Sequence, residues 1–217
     1  MSNDQKQPSA RKIVSPRLVR KVLSRKSKVL FLGYSEEKTK LIDDLVSLGC
    51  EVWHTEEKIE STSGYDLVIS YGYRHILKKD IIESSPAPII NLHISYLPWN
   101  RGAHPNFWSF FDSTPSGVSI HLIDENIDTG PILYQKYVNF RTEEKTFSQT
   151  YNRLMQEIEQ LFQENIESIV ANTFVAIPQR RMGSYHCLSD LPENFSGWDS
   201  NIQAEVMRLD NTMLVNK

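Results

Sequence analysis

The sequence predicts an α/β protein with an open, twisted, mostly parallel sheet that carries helices on both faces. Apolar, β-branched segments alternate along the chain with segments of helical period, which is the pattern of repeated strand–helix units. One such segment, 87–90, is continuously apolar and contains proline near its start, as expected for a strand buried on both faces. The 217 residues, 40% hydrophobic and 24% charged, suit one sizeable globular domain.

Turn and cap signals between these segments set the individual elements. Gly49 ends the first helical segment, and the Ser-Ser-Pro break at 84–86 ends the second, because glycine and proline terminate helices. The order of elements is Rossmann-like. In chain order we predict strand 28–34, helix 36–48, strands 51–55 and 66–71, helix 75–83, the strand that carries Asn91 and His93, helix 106–112 and strands 117–123 and 132–139.

A long amphipathic helix follows these elements. Apolar residues recur at three-four spacing over 143–172, which is typical of a helix packed on a core along one face. We predict that Thr142 caps its start, with Glu143 and Glu144 favourable in the first turn. The chain then divides into a basic N-terminal arm (1–27), a main domain (28–178) and a short C-terminal extension (179–217).

The N-terminal arm concentrates positive charge. Residues 1–28 hold nine of the 24 Lys and Arg residues but one of the 27 acids. A basic arm can contact nucleic acid or anionic lipid. The alternative, which we favour, is a solvated tail or a helix that packs on the acidic remainder of the chain.

Several function classes are excluded by what the sequence lacks. No apolar run approaches the roughly 20 residues of a membrane span, the N-terminus has no apolar signal segment, and Cys50 and Cys187 make neither a metal spacing nor a disulfide framework. We therefore expect a cytoplasmic protein without a membrane partner. The first strand–helix turn reads GYSEE at 33–37 instead of G-x-G-x-x-G, and no Walker loop is present, which excludes nicotinamide and ATP chemistry.

Polar side chains occupy two places where a site would form. Asn91 and His93 stand two apart in NLHISYLPWNRG (91–102), so both project to one face of an extended strand. Left buried without partners, they would cost about 1–3 kcal/mol each. The segment HLIDENIDTGPI (121–132) contains Asp124 and Asp128 and by itself is typical of a turn that bonds its own backbone. Adjacent strands would place the two segments side by side, at the strand ends where such sheets bind ligands.

Together these residues resemble the folate-dependent formyltransferase superfamily. Its motif is Asn-x-His-x-Ser-x-Leu-Pro, then Arg-Gly and Pro, then an Asp-Thr-Gly-x-Ile loop some thirty residues on. The resemblance covers roughly 28–178 and implies 10-formyltetrahydrofolate as formyl donor, a primary amine as acceptor and no metal. The matching positions are Asn91, His93, Ser95, Leu97, Pro98, Arg101, Gly102, Pro105, Asp128, Thr129, Gly130 and Ile132.

The resemblance implies a role for each catalytic side chain. Asn91 is expected to donate to the formyl oxygen as it gains negative charge, a contribution of about 3–4 kcal/mol in comparable sites. His93 is expected to act as general base on the attacking amine, with Asp128 orienting the imidazole and stabilising its charged form. His121 is expected to be structural. The folate contacts that the resemblance implies are Ile76, Leu77, Ile123, Asp124 and Asp128.

Within the superfamily, the stretches 100–109 and 183–186 are most similar to small bacterial nucleotide-sugar N-formyltransferases. The resemblance implies a nucleotide-linked amino-dideoxy sugar, with dTDP as the expected nucleotide, for surface polysaccharides such as lipopolysaccharide O-antigen, and a homodimer formed with segment 185–191. Arg101 would face an anionic substrate or pair with Asp112 or Glu125. Trp108 and Tyr185 would stack on a base or serve as core aromatics.

Three alternatives stay open. The acceptor could be methionyl-tRNA or glycinamide ribonucleotide, although the acidic main domain offers few phosphate contacts and the turn at 33–37 departs from the phosphate-binding turn of the second group. With water in place of the amine, the same site would hydrolyse 10-formyltetrahydrofolate. The chain could also be a non-catalytic binding module for folate or nucleic acid, but such a module has no use for the three catalytic side chains, so nucleic acid is not an expected partner.

Overall fold

The chain folds around one six-stranded sheet, which a computed structural model describes over residues 26–179 and 182–215, with side chains as far as residue 211. The strands are β1 (Lys28–Gly33), β2 (Glu51–Thr55), β3 (Leu67–Tyr71), β4 (Ile89–His93), β5 (Arg101–Gly102), β6 (Gly117–Leu122), β7 (Ile132–Tyr137) and β8 (Tyr185–His186). The helices are α1 (Leu41–Ser47), α2 (Lys79–Ser84), α3 (Pro105–Phe111), α4 (Phe147–Val170) and α5 (Ile202–Val215), with a 3-10 turn at Leu188–Asp190.

The strand order of the large sheet is β2-β1-β3-β4-β6-β7, and β5 pairs separately with β8. Strands β2, β1, β3 and β4 run parallel, whereas β6 is antiparallel to both of its neighbours. The predicted α/β fold with a mostly parallel sheet is confirmed. The β4–β6 register pairs Asn91 with His121 and His93 with Ser119, so the polar positions of β4 meet polar positions on β6.

Helices cover both faces of this sheet. Helices α1 and α4 pack on one face over a core that includes Phe31 and Ile158. On the other face, Ile82 of α2 packs against a second cluster that includes Leu32 and Leu77. Strands β1 and β3 are therefore buried on both sides, which explains their continuous apolar sequences KVLFLG and LVISY.

The C-terminal extension packs on α3 and on the start of α4 through aromatic side chains. The ring centroid of Phe107 lies 5.4 Å from that of Phe147 and 5.1 Å from that of Phe195. Leu209 of α5 is buried in the same cluster. The extension is thereby fixed beside the N-terminal end of α4.

Helices α1 and α2 begin later than predicted. The helix predicted at 36–48 begins at Leu41, because the Ser35 carbonyl first accepts from the backbone N–H groups of Lys38 and Thr39, at 2.9 and 3.1 Å, and closes a turn. The helix predicted at 75–83 begins at Lys79, and the preceding residues form a loop. All but the last two residues of the basic arm (1–27) lie outside the described residues.

The cap of α4 was predicted at the wrong threonine. The helix begins after Thr146, not after Thr142, and its cap is reciprocal. The Thr146 hydroxyl accepts from the Gln149 N–H at 3.2 Å, and the Gln149 side-chain oxygen accepts from the Thr146 N–H at 3.1 Å, which is a capping box. Helix α4 is amphipathic, and within the described ranges no helix is long and apolar enough to cross a membrane.

We expect Thr146→Ala to lower the free energy of unfolding by about 1 kcal/mol, since the Gln149 N–H would lose its acceptor at the start of α4. Urea denaturation followed by far-ultraviolet circular dichroism measures this loss. Thr142→Ala is the matched control, because the Thr142 hydroxyl contacts the exposed Glu143 carboxylate rather than the helix backbone. Equal losses in the two variants would contradict the cap at Thr146.

Candidate active site

The two polar segments of the sequence meet in a cavity of about 550 Å³. Its walls come from both faces of the sheet, with Leu77 from the cluster beside α2 and Tyr71 from the cluster beneath α4. Asn91, His93 and Asp128 all line it. The structure thus brings together the three side chains to which the sequence assigns catalytic roles.

Asp128 is the centre of this polar group. Its Oδ1 accepts from Asn91 Nδ2 at 3.2 Å and lies 3.3 Å from His121 Nε2. Its Oδ2 accepts from the Gly102 N–H at 2.9 Å and lies 3.6 Å from His93 Nε2. The carboxylate is 11% exposed, and these contacts satisfy a nearly buried charge. Asp128 therefore holds Asn91 by a hydrogen bond and lies within ion-pair distance of His93.

The backbone around the carboxylate is shaped for these contacts. Gly102 has φ 85°, and a Cβ there would lie 2.3 Å from the His186 carbonyl oxygen, so only glycine can bring its N–H to Asp128 at this position. Asp128 itself has φ 54°, a left-handed conformation that Asp and Asn tolerate better than most residues.

Gln179 holds the Asp128 loop from outside and was missed by the sequence analysis. Its Nε2 donates to the carbonyls of Asp128, at 3.0 Å, and Gly130, at 2.8 Å. The residue lies beyond the long helix, and no motif or spacing in the sequence marks it. Its amide links the start of the C-terminal extension to the catalytic loop.

Burial sets the charge of the His93 imidazole. Burial lowers the pKa of His93 below the usual value of 6.5, although the Asp128 carboxylate opposes the shift. Burial also disfavours the charged form of Asp128, but the His93 and His121 imidazoles and the Gly102 N–H outweigh it and hold the pKa of Asp128 well below its usual range. At neutral pH the site therefore pairs a neutral imidazole with a carboxylate.

The contacts of His93 also decide which ring nitrogen can act as base. Nε2 lies 3.3 Å from the Asn100 carbonyl oxygen and 3.6 Å from Asp128 Oδ2. Because both neighbours are acceptors, the resting ring proton is assigned to Nε2. Nδ1 is then the nitrogen with a free lone pair.

His121, expected to be structural, lies inside the polar group. The residue is 1% exposed, its Nδ1 is 2.8 Å from the Leu122 carbonyl oxygen, and its Nε2 is 3.2 Å from Asn91 Nδ2. Because the Leu122 carbonyl is an acceptor, the resting ring proton is assigned to Nδ1, and Nε2 accepts from Asn91. The signal that identifies it is the antiparallel register that places it opposite Asn91, which residue spacing alone does not reveal.

The residues predicted to contact folate line one side of the cavity. Ile76 is 82% exposed and Leu77 is buried, so this wall has an accessible apolar edge above a packed base. Ile123 lines the same end of the cavity. Asp124 lines it too, but its Oδ1 accepts from the Asn126 backbone N–H at 3.2 Å and from the Thr129 hydroxyl at 2.6 Å, so the self-bonded turn considered for this loop is formed at Asp124.

The three predicted substrate contacts are placed differently from one another. Tyr185 lines the cavity and is half exposed. Trp108 is buried, and its ring stacks on His186 with centroids 3.8 Å apart and planes 6° apart, so that face is already covered. Arg101 is not among the residues that line the cavity. The carboxylates considered as its partners pair elsewhere, Asp112 with His186 and Glu125 with Lys79.

A neutral imidazole, a hydrogen-bond donor and a buried carboxylate in one cavity form an arrangement that can remove a proton from an attacking atom and stabilise developing charge. Among the described residues, no group of three or more His, Cys, Asp or Glu side chains could hold a metal ion. Residues 48–166 match the Formyl transferase family. This match covers more than half of the chain, and the chain therefore belongs to the formyl transferase family.

Several relatives are similar over different lengths. The crystal structure of the formyltransferase PseJ from Anoxybacillus kamchatkensis, in complex with UDP-4,6-dideoxy-4-formamido-L-AltNAc and tetrahydrofolate, has a TM-score of 0.75 and 43% identity over 82% of this chain and 96% of that one. The dTDP-4-amino-4,6-dideoxyglucose formyltransferase of Mycobacterium tuberculosis is 28% identical over 66% of this chain and 59% of its own. A methionyl-tRNA formyltransferase of Thermodesulfovibrio yellowstonii is 42% identical over 37% of this chain and 26% of its own. The chain thus spans only part of the length of these two curated relatives.

Proposed function

We propose that the chain is an N-formyltransferase that moves a formyl group from 10-formyltetrahydrofolate to the primary amine of a nucleotide-linked amino-dideoxy sugar. The observation that carries the proposal is the convergence of Asn91, His93 and Asp128 in one cavity of a chain that is 43% identical to PseJ over 96% of that protein. Residues 28–178 would form the catalytic domain, as the sequence predicts.

The cavity suits a folate. Its α2 side presents the apolar side chains of Ile76, Leu77 and Ile123 beside the Asp124 carboxylate. A slot with apolar walls and few polar groups fits a flat heteroaromatic ring that has a polar edge. When bound, the folate supplies an activated formyl carbon to an attacking amine.

The side chains of the site handle the developing charge and the proton. In the proposed reaction Asn91 turns one N–H from Asp128 toward the formyl oxygen, where negative charge develops. His93 Nδ1 takes the proton from the amine and would return it to the folate nitrogen, whose bond to the formyl carbon breaks as tetrahydrofolate leaves. The imidazolium that results keeps its Nε2 proton between Asp128 and the Asn100 carbonyl, and the low exposure of these groups strengthens their attraction.

The comparisons favour a 4-amino sugar as acceptor. PseJ was solved with a UDP-linked 4-formamido sugar, and the mycobacterial relative is named for a dTDP-4-amino sugar. We therefore propose a 4-amino-4,6-dideoxy sugar as acceptor. UDP is the nucleotide that we favour, and dTDP, the nucleotide expected from the sequence, is the alternative. The homodimer, the cytoplasmic location and the role in O-antigen sugars stay predictions.

Release of tetrahydrofolate from 10-formyltetrahydrofolate tests this function. We expect turnover that requires an amino sugar and is fastest with the UDP-linked 4-amino compound in a panel of UDP- and dTDP-linked 3- and 4-amino sugars. Equal release without any amine would assign the site to hydrolysis. Formylation of methionyl-tRNA or glycinamide ribonucleotide instead of any sugar would keep formyl transfer and refute the proposed acceptor.

The pH dependence of the reaction follows from the burial of His93. The base must be neutral to act, and its pKa lies below 6.5, so protonation stops catalysis only at lower pH. We expect the acid limb of kcat/KM to have its midpoint below 6.5, after correction for ionisation of the sugar amine. A midpoint at or above 6.5 would argue against His93 as the base.

A further inference from the structure

A second cavity of about 380 Å³ adjoins the catalytic cavity on the α4 side. The two cavities share Ile94, Pro105 and Tyr151 as lining residues. Ile76 and Ile123, the predicted folate wall, line the first cavity and not the second. A long ligand that passes Tyr151 from the catalytic group therefore enters the second cavity and leaves the folate slot free.

The second cavity has an aromatic wall built from two distant parts of the chain. The rings of His104 and Trp198 lie with centroids 5.2 Å apart, and Trp198 is 41% exposed. The Trp198 carbonyl accepts from the Ser148 N–H at 2.8 Å, which ties the C-terminal extension to the first turn of α4. His104 has φ 52°, a strained left-handed conformation of the kind that is retained at functional sites.

An unpartnered polar atom lies beside this wall. Asn106 lines the cavity, is 4% exposed, and donates through Nδ2 to the Phe147 carbonyl at 2.9 Å. Its Oδ1 is buried and has no hydrogen-bond partner in the described structure. Buried side-chain oxygens almost always have a donor. The imide N–H of uracil or thymine is such a donor, and it lies on the edge of a flat ring that can stack on an aromatic side chain.

We propose that the second cavity binds the pyrimidine nucleoside of the acceptor, with the base against Trp198 and its imide N–H directed toward Asn106. This inference rests on the proposed function, because it takes the acceptor to be a nucleotide sugar. The sequence analysis predicted Trp108 as a stacking residue, but His186 covers its ring. The proposal assigns the stacking to the half-exposed Trp198 instead. The sugar then extends from the second cavity past Tyr151 to the catalytic group.

The test compares Trp198→Ala with Trp53→Ala in the full chain. Trp53 is 51% exposed and lies on β2, away from both cavities. Since stacking contributes substantially to base binding, we expect Trp198→Ala to raise the Kd for UDP and the KM for the nucleotide sugar about tenfold. The KM for 10-formyltetrahydrofolate and kcat at saturation should stay within about twofold, and Trp53→Ala should leave all four values unchanged.

Two further measurements separate the loss of stacking from a loss of folding and test the contact with Asn106. Trp198 packs on Phe195, so Trp198→Phe, which retains an aromatic ring, should give a smaller loss of UDP affinity with an unchanged Tm. UDP methylated at N3 lacks the imide N–H and should bind the wild-type chain more weakly than UDP. Equal affinities for the two ligands would overturn the role of Asn106.

The outcomes separate this inference from the proposed function. Unchanged UDP affinity and sugar KM in Trp198→Ala would overturn the inference even when the wild-type chain formylates a nucleotide sugar. UDP binding that depends on Trp198, without turnover of any sugar, would support the nucleoside site and refute the proposed reaction. Absence of both UDP binding and sugar turnover in the wild-type chain would refute both.

Discussion

His93→Gln is expected to lower kcat by about 10²–10⁴-fold with little change in either KM. His93 is 9% exposed, and its Nε2 faces Asn100 and Asp128. Glutamine can fill most of this space and can still donate to the same two acceptors. It has no atom that takes up a proton near neutral pH, so the loss should fall on the chemical step and not on binding.

Single-turnover release of tetrahydrofolate measures that chemical step directly. His54→Gln is the matched control, because its imidazole is on β2, which two strands separate from β4, and contacts the Gly33 carbonyl at 2.8 Å. We expect the control to retain wild-type rates. Full activity in His93→Gln, or equal losses in the two variants, would place the base elsewhere.

The sheet could be predicted because its strands are encoded locally. Strand β2 has its predicted bounds, 51–55, and β3 differs from its prediction by one residue. Strands buried on both faces have short apolar sequences between turn residues. The direction of β6 was not predicted, because it depends on how the chain returns after β4 and not on residues within β6.

The loop at 72–78 shows where local pattern fails. Its apolar residues were assigned to a helix, yet Ile76 is 82% exposed at the mouth of the cavity. Apolar spacing predicts a helix only when the apolar face packs on a core. Ile76 lines the cavity and does not pack on a core. Its apolar side chain is therefore no evidence for a helix.

The candidate site was predicted in part for the same reason. Asn91 and His93 share a face by alternation along one strand, and Asp128 could be placed beside them because its loop joins neighbouring strands. His121 and Gln179 depend on contacts that no local pattern encodes, namely an antiparallel register and a segment beyond α4. Both contact Asn91 or Asp128. The sequence analysis found the residues with proposed chemical roles, expected His121 to be structural without its contacts, and missed Gln179.

Asp128→Asn is expected to lower kcat/KM by about 10³–10⁴-fold, since an amide cannot stabilise an imidazolium as a carboxylate does. Asparagine tolerates the φ of 54° at this position, so the loop should keep its conformation. One side of the new amide, however, carries N–H groups. They would face Asn91 or the Gly102 N–H, which are both donors to the native carboxylate.

The pH profile of Asp128→Asn distinguishes an electrostatic role from a purely geometric one. The Asp128 charge raises the pKa of His93 against the effect of burial, so its removal should lower that pKa further. The acid limb of kcat/KM should therefore move to lower pH, while the rate falls at every pH. Glu125→Gln, on the same loop but paired with the exposed Lys79, should leave the midpoint unchanged. A reduced rate with an unshifted midpoint in Asp128→Asn would show that Asp128 acts through position alone.

The same substitution changes stability in a direction that pH reveals. The folded-state pKa of Asp128 lies below its usual value of 3.8, so the ionised carboxylate contributes stability above that value and loses it as pH falls toward the folded-state pKa. We expect Asp128→Asn to lower the free energy of unfolding at pH 7, with the difference from wild type shrinking below about pH 4. A constant difference across this range would mean that the variant loses packing and not charge.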